Sequence, residues 1–203
     1  MIISHQNGRG KKIHILIDDE YQITTDVDFW SQNYINDGTD IDEEQWQELV
    51  DAINYRKAVN KCYDLLSRRD HSVKELRQKL LRTVDPDNAD KAIEKMLDLG
   101  YLDDEKYART LFRHLYDNKK MSLNFIKREM YMKGIDSFII EDVLCENEVD
   151  NVANIVELIN SKYAGKLQGE NGKQKVMASL ARKGFSYSDI KSAFYRIENE
   201  DYV

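Results

Sequence analysis

The residues whose types and spacing suggest catalysis lie at two places in the chain. Arg109 and His114 stand at the R-x4-H spacing that some helical ribonucleases use. The segment between them is predicted to be helical, and residues five apart do not share one line along a helix, so a solvated face is favoured. The segment 169–174 suggests a phosphate loop, but Leu167 occupies the position of the first glycine and Gln174 that of the magnesium-binding Ser or Thr. An interhelical loop is therefore predicted there.

The sequence offers no metal-binding or nucleophilic constellation. Its histidines and cysteines are scattered, and none stands at metal-ligand spacing from a suitable neighbour: His5, His14, His71, His114, Cys62 and Cys145. Asp103 and Asp104 are explained as acids at the start of a helix, without a metal. We therefore expect no catalytic residues, no metal, no cofactor and no enzyme activity, and we expect both cysteines to be reduced.

The elements that carry these residues are predicted to be mainly helical. One Pro and nine Gly in 203 residues are too few for the turns of an all-β fold. The N-terminal region differs, because Ile13, Ile15 and Ile17 recur at every second position, and the pattern resumes from Tyr21 after a short acidic turn. This predicts a β-hairpin, followed by a helix that opens at Asp42 with acids in its first turn.

The rest of the chain repeats with a period of about fifty residues. Apolar positions recur fifty apart: Leu76, Ile126 and Val176, and then Leu80, Met130 and Leu180. Each repeat is predicted to contain three helices. A left-handed glycine followed by an apolar residue is predicted to end a helix at three places: Gly100, Gly134 and Gly184. Asp103 is expected to cap the next helix, and Pro86 to mark a turn in the first repeat.

These patterns predict a mainly α protein with three tandem three-helix repeats in an elongated, curved array, preceded by a small N-terminal β-hairpin and helix. The expected boundaries are 1–54 for an acidic N-terminal extension, 55–102 for the first repeat, 103–150 for the second and 151–203 for the third. Repeat arrays present extended surfaces, so partner binding is favoured over catalysis.

Charge is unevenly distributed along the chain, whose formal net charge is −7. Residues 1–54 hold three basic and twelve acidic residues, which leaves 27 basic and 25 acidic residues in the remainder. Nucleic-acid binders usually carry a basic excess, so this balance does not favour DNA as the main partner. No apolar run approaches ~18 residues and the first residues lack a secretory pattern, so we expect a cytoplasmic protein without membrane contact.

A family resemblance is carried by short motifs in the first two repeats. They are Arg68-Arg69-Asp70-His71-Ser72 with Glu75-Leu76 and Lys79-Leu80, then Gly100-Tyr101-Leu102-Asp103-Asp104 with Tyr107-Ala108, and Lys133-Gly134-Ile135. Through them residues 55–203 resemble the RecX family of bacterial regulatory proteins, most strongly over 62–145. The hairpin and helix of 11–54 look like an extension found in some members.

The resemblance implies a function in DNA repair, homologous recombination and the SOS response. Such a protein is expected to bind the RecA recombinase, mainly as its filament on single-stranded DNA, and to inhibit or modulate ATP hydrolysis, strand exchange and filament growth. It brings no catalytic residues with it. We expect a monomer, with weak direct DNA binding as a further property.

Candidate contact residues are the basic side chains on the outer faces of the repeats. They are Arg68, Arg69, Lys74, Arg77, Lys79, Arg82, Lys127, Arg128, Lys133, Arg182 and Lys183. One hypothesis is that they meet acidic RecA surface or exposed phosphate. The other is an ordinary solvated face with helical ion pairs. Two further alternatives are a helix-turn-helix-like DNA-binding module and a helical scaffold for another partner.

Overall fold

A computed structural model describes residues 1–200, which divide into two compact units. Met1–His71 and Glu75–Leu102 form the first unit, and Ser72–Lys74 with the residues from Asp103 onward form the second. Helices dominate both units, which confirms the predicted fold class. Residues 201–203, the end of the predicted third repeat, lie outside the described residues. No helix within residues 1–200 is long and apolar enough to cross a membrane.

A four-stranded antiparallel sheet opens the first unit, in the order β3-β2-β1-β4. The strands are β1 (Ile2–Asn7), β2 (Lys12–Ile17), β3 (Glu20–Asp26) and β4 (Thr39–Asp40). The predicted hairpin is confirmed as β2 and β3, with Ile15 opposite Ile23 and a turn at Asp18 and Asp19, where φ is positive. The hairpin is part of a larger sheet than predicted. Strand β1 escaped the sequence pattern because Ile3 is its only fully buried residue.

Two helices cover this sheet and lead into the first repeat. Helix α1 (Val27–Gln32) buries Phe29 and Trp30. Helix α2 (Glu43–Leu66) starts at the predicted place with a capping box between Asp42 and Gln45. It runs through residues 54 and 55 without interruption, since no Gly or Pro lies between its ends. The first helix of the first repeat is therefore the continuation of the N-terminal helix, and the boundary at residue 54 stays a prediction.

Three helices of at least eight residues are present in every repeat, as predicted, and the third repeat has an additional helix of four residues. The first repeat adds α3 (Val73–Leu80) and α4 (Pro86–Asp98) to α2. The second repeat has α5 (Asp104–Arg113), α6 (Leu123–Met132) and α7 (Ser137–Cys145). The third repeat has α8 (Asn151–Leu158), α9 (Ala164–Leu167), α10 (Gly172–Arg182) and α11 (Tyr187–Glu200). The π-helical segments His114–Asn118 and Ile159–Tyr163, which the sequence did not reveal, extend α5 and α8. All six apolar residues of the fifty-residue pattern are 0% exposed, so the period marks the core positions of α3, α6 and α10.

The predicted helix ends are also confirmed. Gly100, Gly134 and Gly184 have φ of +70°, +77° and +86°. The amide after each glycine bonds back to a carbonyl in the last turn, as between Tyr101 N and Met96 O at 2.9 Å. The side chain of Asp103 caps the start of α5, as predicted. The side chain of Asp85 caps the start of α4, and Pro86 is the first residue of that helix.

Candidate partner-binding surface

Half of the predicted contact residues in the first repeat are ion-paired within the chain. The pairs are Arg68 with Asp64, Arg69 with Glu75, and Arg77 with Asp90. The Arg77 pair is bidentate, with Nε and Nη2 at 2.6 and 2.9 Å from the two carboxylate oxygens. Its hydrogen bonds raise the pKa of Arg77 and lower that of Asp90. These arginines are at least two-fifths exposed, and such surface pairs exchange readily with other charged groups.

Three further predicted residues of this region differ in their surroundings. Arg82 is exposed and Lys79 is half-buried, and neither forms an ion pair within residues 1–199. Lys74 is exposed at its end, but its stem lies over Gly134. A Cβ added at Gly134 would stand 2.0 Å from Lys74 Cδ and 2.6 Å from Lys74 Cβ. The ammonium group of Lys74 is therefore carried on a stem that is packed inside the second unit.

The predicted residues of the second and third repeats have individual environments. Lys127 is ion-paired with Glu141, which raises the pKa of the lysine. The guanidinium of Arg128 lies 5.5 Å from the ring centre of Phe125, and Lys133 Nζ lies 5.8 Å from that of Tyr107. Two more remain close to the backbone or a hydroxyl: Arg182 donates to Ser179 Oγ at 3.2 Å, and Lys183 donates to the carbonyl of Lys119. The eleven residues thus do not form one continuous cluster of unpaired charge.

A hydrogen-bonded joint in the second unit fixes where Lys183 lies. The amide of Ser122, ahead of α6, donates to the carbonyl of Lys183 at 3.1 Å, and Leu123 N donates to Asn151 Oδ1 at 3.3 Å. Gly184 is required beside them, because a Cβ there would stand 2.6 Å from Ser122 Oγ. The backbone of Lys183 and Gly184 at the end of α10 therefore holds the start of α6 in position.

The same arrangement recurs fifty residues earlier and fixes Lys133. Ser72 Oγ donates to the carbonyl of Lys133 at 2.5 Å, and Val73 N donates to Asp104 Oδ1 at 2.9 Å. Asp104 is half-buried, and burial raises the pKa of its carboxyl although the amide of Val73 opposes that shift. Ser72 and Ser122 stand fifty residues apart, as do Lys133-Gly134 and Lys183-Gly184. They are the two sides of a repeated joint, which gives this spacing a physical explanation.

The residues that suggested catalysis have structural roles. Arg109 forms ion pairs with Glu105 and Glu146, and these raise the pKa of its guanidinium. His114 begins the π-helical segment after α5. Gly172 begins α10, where a Cβ would stand 2.4 Å from the carbonyl oxygen of Lys166. Within the described part of the chain, no group of three or more His, Cys, Asp or Glu side chains is arranged to hold a metal.

One group of basic residues was not singled out from the sequence. Lys119, Lys162, Lys166 and Lys175 are exposed, and none of them forms an ion pair with a described residue. A signal for them was present, since residues 159–183 hold six Lys or Arg and the single acid Glu170. It was hidden by the near-neutral charge of the whole repeat region.

Comparisons with known proteins cover almost the whole chain. Three RecX domain models match in chain order, the first three-helix domain at residues 58–96, the second at 103–144 and the third at 148–194. A regulatory protein RecX of Clostridioides difficile is 27% identical over 98% of this chain and 95% of its own. Another, from Bacillus subtilis, is 29% identical over 98% of this chain and 77% of its own.

Solved structures agree with the fold. A crystal structure of a regulatory protein RecX aligns with a TM-score of 0.62 at 22% identity, over 95% of this chain and 98% of the other. The crystal structure of RecX from Lactobacillus salivarius aligns with a TM-score of 0.60 at 27% identity, over 72% of this chain and 98% of the other.

Proposed function

The chain belongs to the RecX family, and we propose that it is a non-catalytic cytoplasmic regulator that binds RecA, mainly as the filament on single-stranded DNA. Binding is proposed to inhibit or modulate ATP hydrolysis, strand exchange and filament growth. The observation that carries the proposal is that three RecX domain models match residues 58–194 of this chain in order. Its relatives are named regulatory proteins. The charged outer face of α3 is the proposed contact region.

The chemistry of this face supports binding to an acidic protein surface. Arg77 projects a guanidinium in a bidentate geometry that suits a carboxylate, as its pairing with Asp90 demonstrates. Lys79 and Arg82 lie close along the same segment without a carboxylate partner among the described residues. A partner carboxylate needs only to exchange with Asp90, which is itself more than half exposed.

The direct test is the single-stranded-DNA-dependent ATPase activity of the cognate RecA, titrated with this protein. Inhibition well below one molecule per RecA is expected, because a molecule bound along a filament affects subunits beyond those it touches. Co-sedimentation with RecA filaments should follow the same titration. If neither inhibition nor co-sedimentation occurs, the RecA proposal is wrong and a scaffold for another partner replaces it.

A charge-removal variant tests the contact region. The triple variant Arg77→Gln, Lys79→Gln, Arg82→Gln is expected to weaken inhibition about tenfold, because three exposed charged contacts are lost. A control variant removes the same charge from exposed lysines elsewhere: Lys61→Gln, Lys91→Gln, Lys106→Gln. It should inhibit as the unmodified protein does. Equal inhibition by both variants would move the contact region away from α3.

A further inference from the structure

Several cations of the third repeat have no carboxylate partner among the described residues. Other exposed cations are neutralised, as Arg77 is by Asp90, Lys127 by Glu141 and, within the third repeat, Lys173 by Glu198. Five basic residues between 159 and 183 form no ion pair within the described residues: Lys162, Lys166, Lys175, Arg182 and Lys183. The segment 159–183 therefore carries uncompensated positive charge, although the protein as a whole is acidic.

Three lysines meet at the joint between α6 and α10. Lys183 Nζ donates to the carbonyl of Lys119, and the charges of Lys162 and Lys119 both act on Lys183. Burial lowers the pKa of Lys183 most, and these two like charges lower it further. No carboxylate of the described residues raises it. The nearby Glu157 is engaged by Lys120 at 2.8 Å. The π-helical segment Ile159–Tyr163 contains Lys162 and so brings it to this place.

A groove of about 510 Å³ lies in the same repeat as Lys162 and Lys183. Lys166, Lys175 and Arg182 line it, together with Gly165, Gly169, Ala178 and Ser179. Glu170 is the one acid in the lining, and Lys175 contacts its backbone carbonyl at 3.0 Å rather than its side chain. Lys166 follows Lys162 by one helical turn and Arg182 precedes Lys183 directly in the sequence, so the groove adds further cations in the segments that carry Lys162 and Lys183.

We propose that the basic surface around Lys119, Lys162 and Lys183, where the second and third repeats meet, binds the phosphodiester backbone of nucleic acid. Adjacent like charges repel one another, and a chain of phosphates relieves that repulsion at several cations together. Lysine ammonium groups serve as point charges for phosphate oxygens, and binding releases the counterions of the nucleic acid. No base-reading geometry is implied, so binding is expected to be independent of sequence.

The test is the affinity for a fluorescent oligo-dT strand over a series of salt concentrations, without RecA. Log affinity is expected to fall linearly with log salt, and the variant Lys119→Gln, Lys162→Gln, Lys183→Gln should show a slope smaller by about 2, at roughly 0.7 per phosphate contact. The control removes the same charge from ion-paired positions outside the candidate contact residues: Arg56→Gln, Arg109→Gln, Lys173→Gln. Its slope should equal that of the unmodified protein.

Three outcomes overturn the proposal. The first is a slope of log affinity against log salt that both variants reduce equally, and the second is an absence of binding at low salt. The third is that polyglutamate displaces the fluorescent strand as effectively as unlabelled oligo-dT does at equal charge. The last would assign the surface to an acidic protein instead. Circular dichroism of each variant establishes that the helices are intact. The assay contains no RecA, so its result is independent of the function proposed above.

Discussion

Replacing Gly184 by Ala tests the repeated joint most directly. Its φ of +86° is a left-handed conformation, which costs an L-residue about 1–2 kcal/mol. The added Cβ would also stand 2.6 Å from Ser122 Oγ and 2.8 Å from Phe125 Cβ, so α6 and α10 must move apart. Overpacking of this kind costs about 1–3 kcal/mol. We therefore expect Gly184→Ala to lower the free energy of unfolding by about 2–5 kcal/mol.

Two control variants separate these contributions in urea unfolding followed by circular dichroism. Gly100 has a similar φ of +70° but open space around its Cβ position, so Gly100→Ala should cost only about 1–2 kcal/mol. Gly165 also has open space, and no left-handed φ, so Gly165→Ala should be tolerated in the third repeat. Hydrogen exchange should quicken in 122–126 for Gly184→Ala alone. A cost no greater than that of Gly100→Ala would refute the joint.

Two further expectations concern single side chains. Cys62 is 0% exposed and burial raises its pKa to about 11, whereas Cys145 is exposed. Ellman's reagent at about pH 8 should therefore label one thiol per native chain and two after denaturation. Burial raises the pKa of Asp104 above its unfolded value, so the folded state takes up a proton first as pH falls. The free energy of unfolding relative to Asp104→Asn should therefore increase as the pH falls toward the pKa of an unfolded Asp, about 3.9, and pH-independent values would contradict this assignment.

The helical repeats were predictable because their signal is local. Core positions such as Leu76 and Ile126 follow from helical periodicity and the fifty-residue repeat, and a left-handed glycine such as Gly134 marks a helix end by itself. The extent of the N-terminal sheet was not predictable in this way. Strand β1 pairs with β2 and β4 through backbone hydrogen bonds, and its own side chains show little alternation. The continuity of α2 was likewise hidden by the change from acidic to mixed charge along it.

The candidate surface was only partly predictable for a related reason. A sequence shows that Arg77 is basic and on an outer helical face, but its pairing depends on Asp90 in another helix. The proximity of Lys119, Lys162 and Lys183 depends on a joint between segments more than twenty residues apart and on an unforeseen π-helical turn. Charge counts therefore located basic residues correctly but could not tell neutralised ones from free ones.

The difference between ion-paired and unpaired cations determines how the surfaces at Arg77 and at Lys183 interact with a partner. At Arg77 a partner carboxylate replaces Asp90, so one ion pair is exchanged for another and the gain lies in geometry, which favours specificity over affinity. At Lys183 a bound anion would displace no carboxylate of the described residues and would relieve the repulsion from Lys119 and Lys162, so the gain is electrostatic and sensitive to salt. The two surfaces thus suit different tasks. Recognition of a folded protein surface fits the first repeat, and attachment to a charged polymer fits the third.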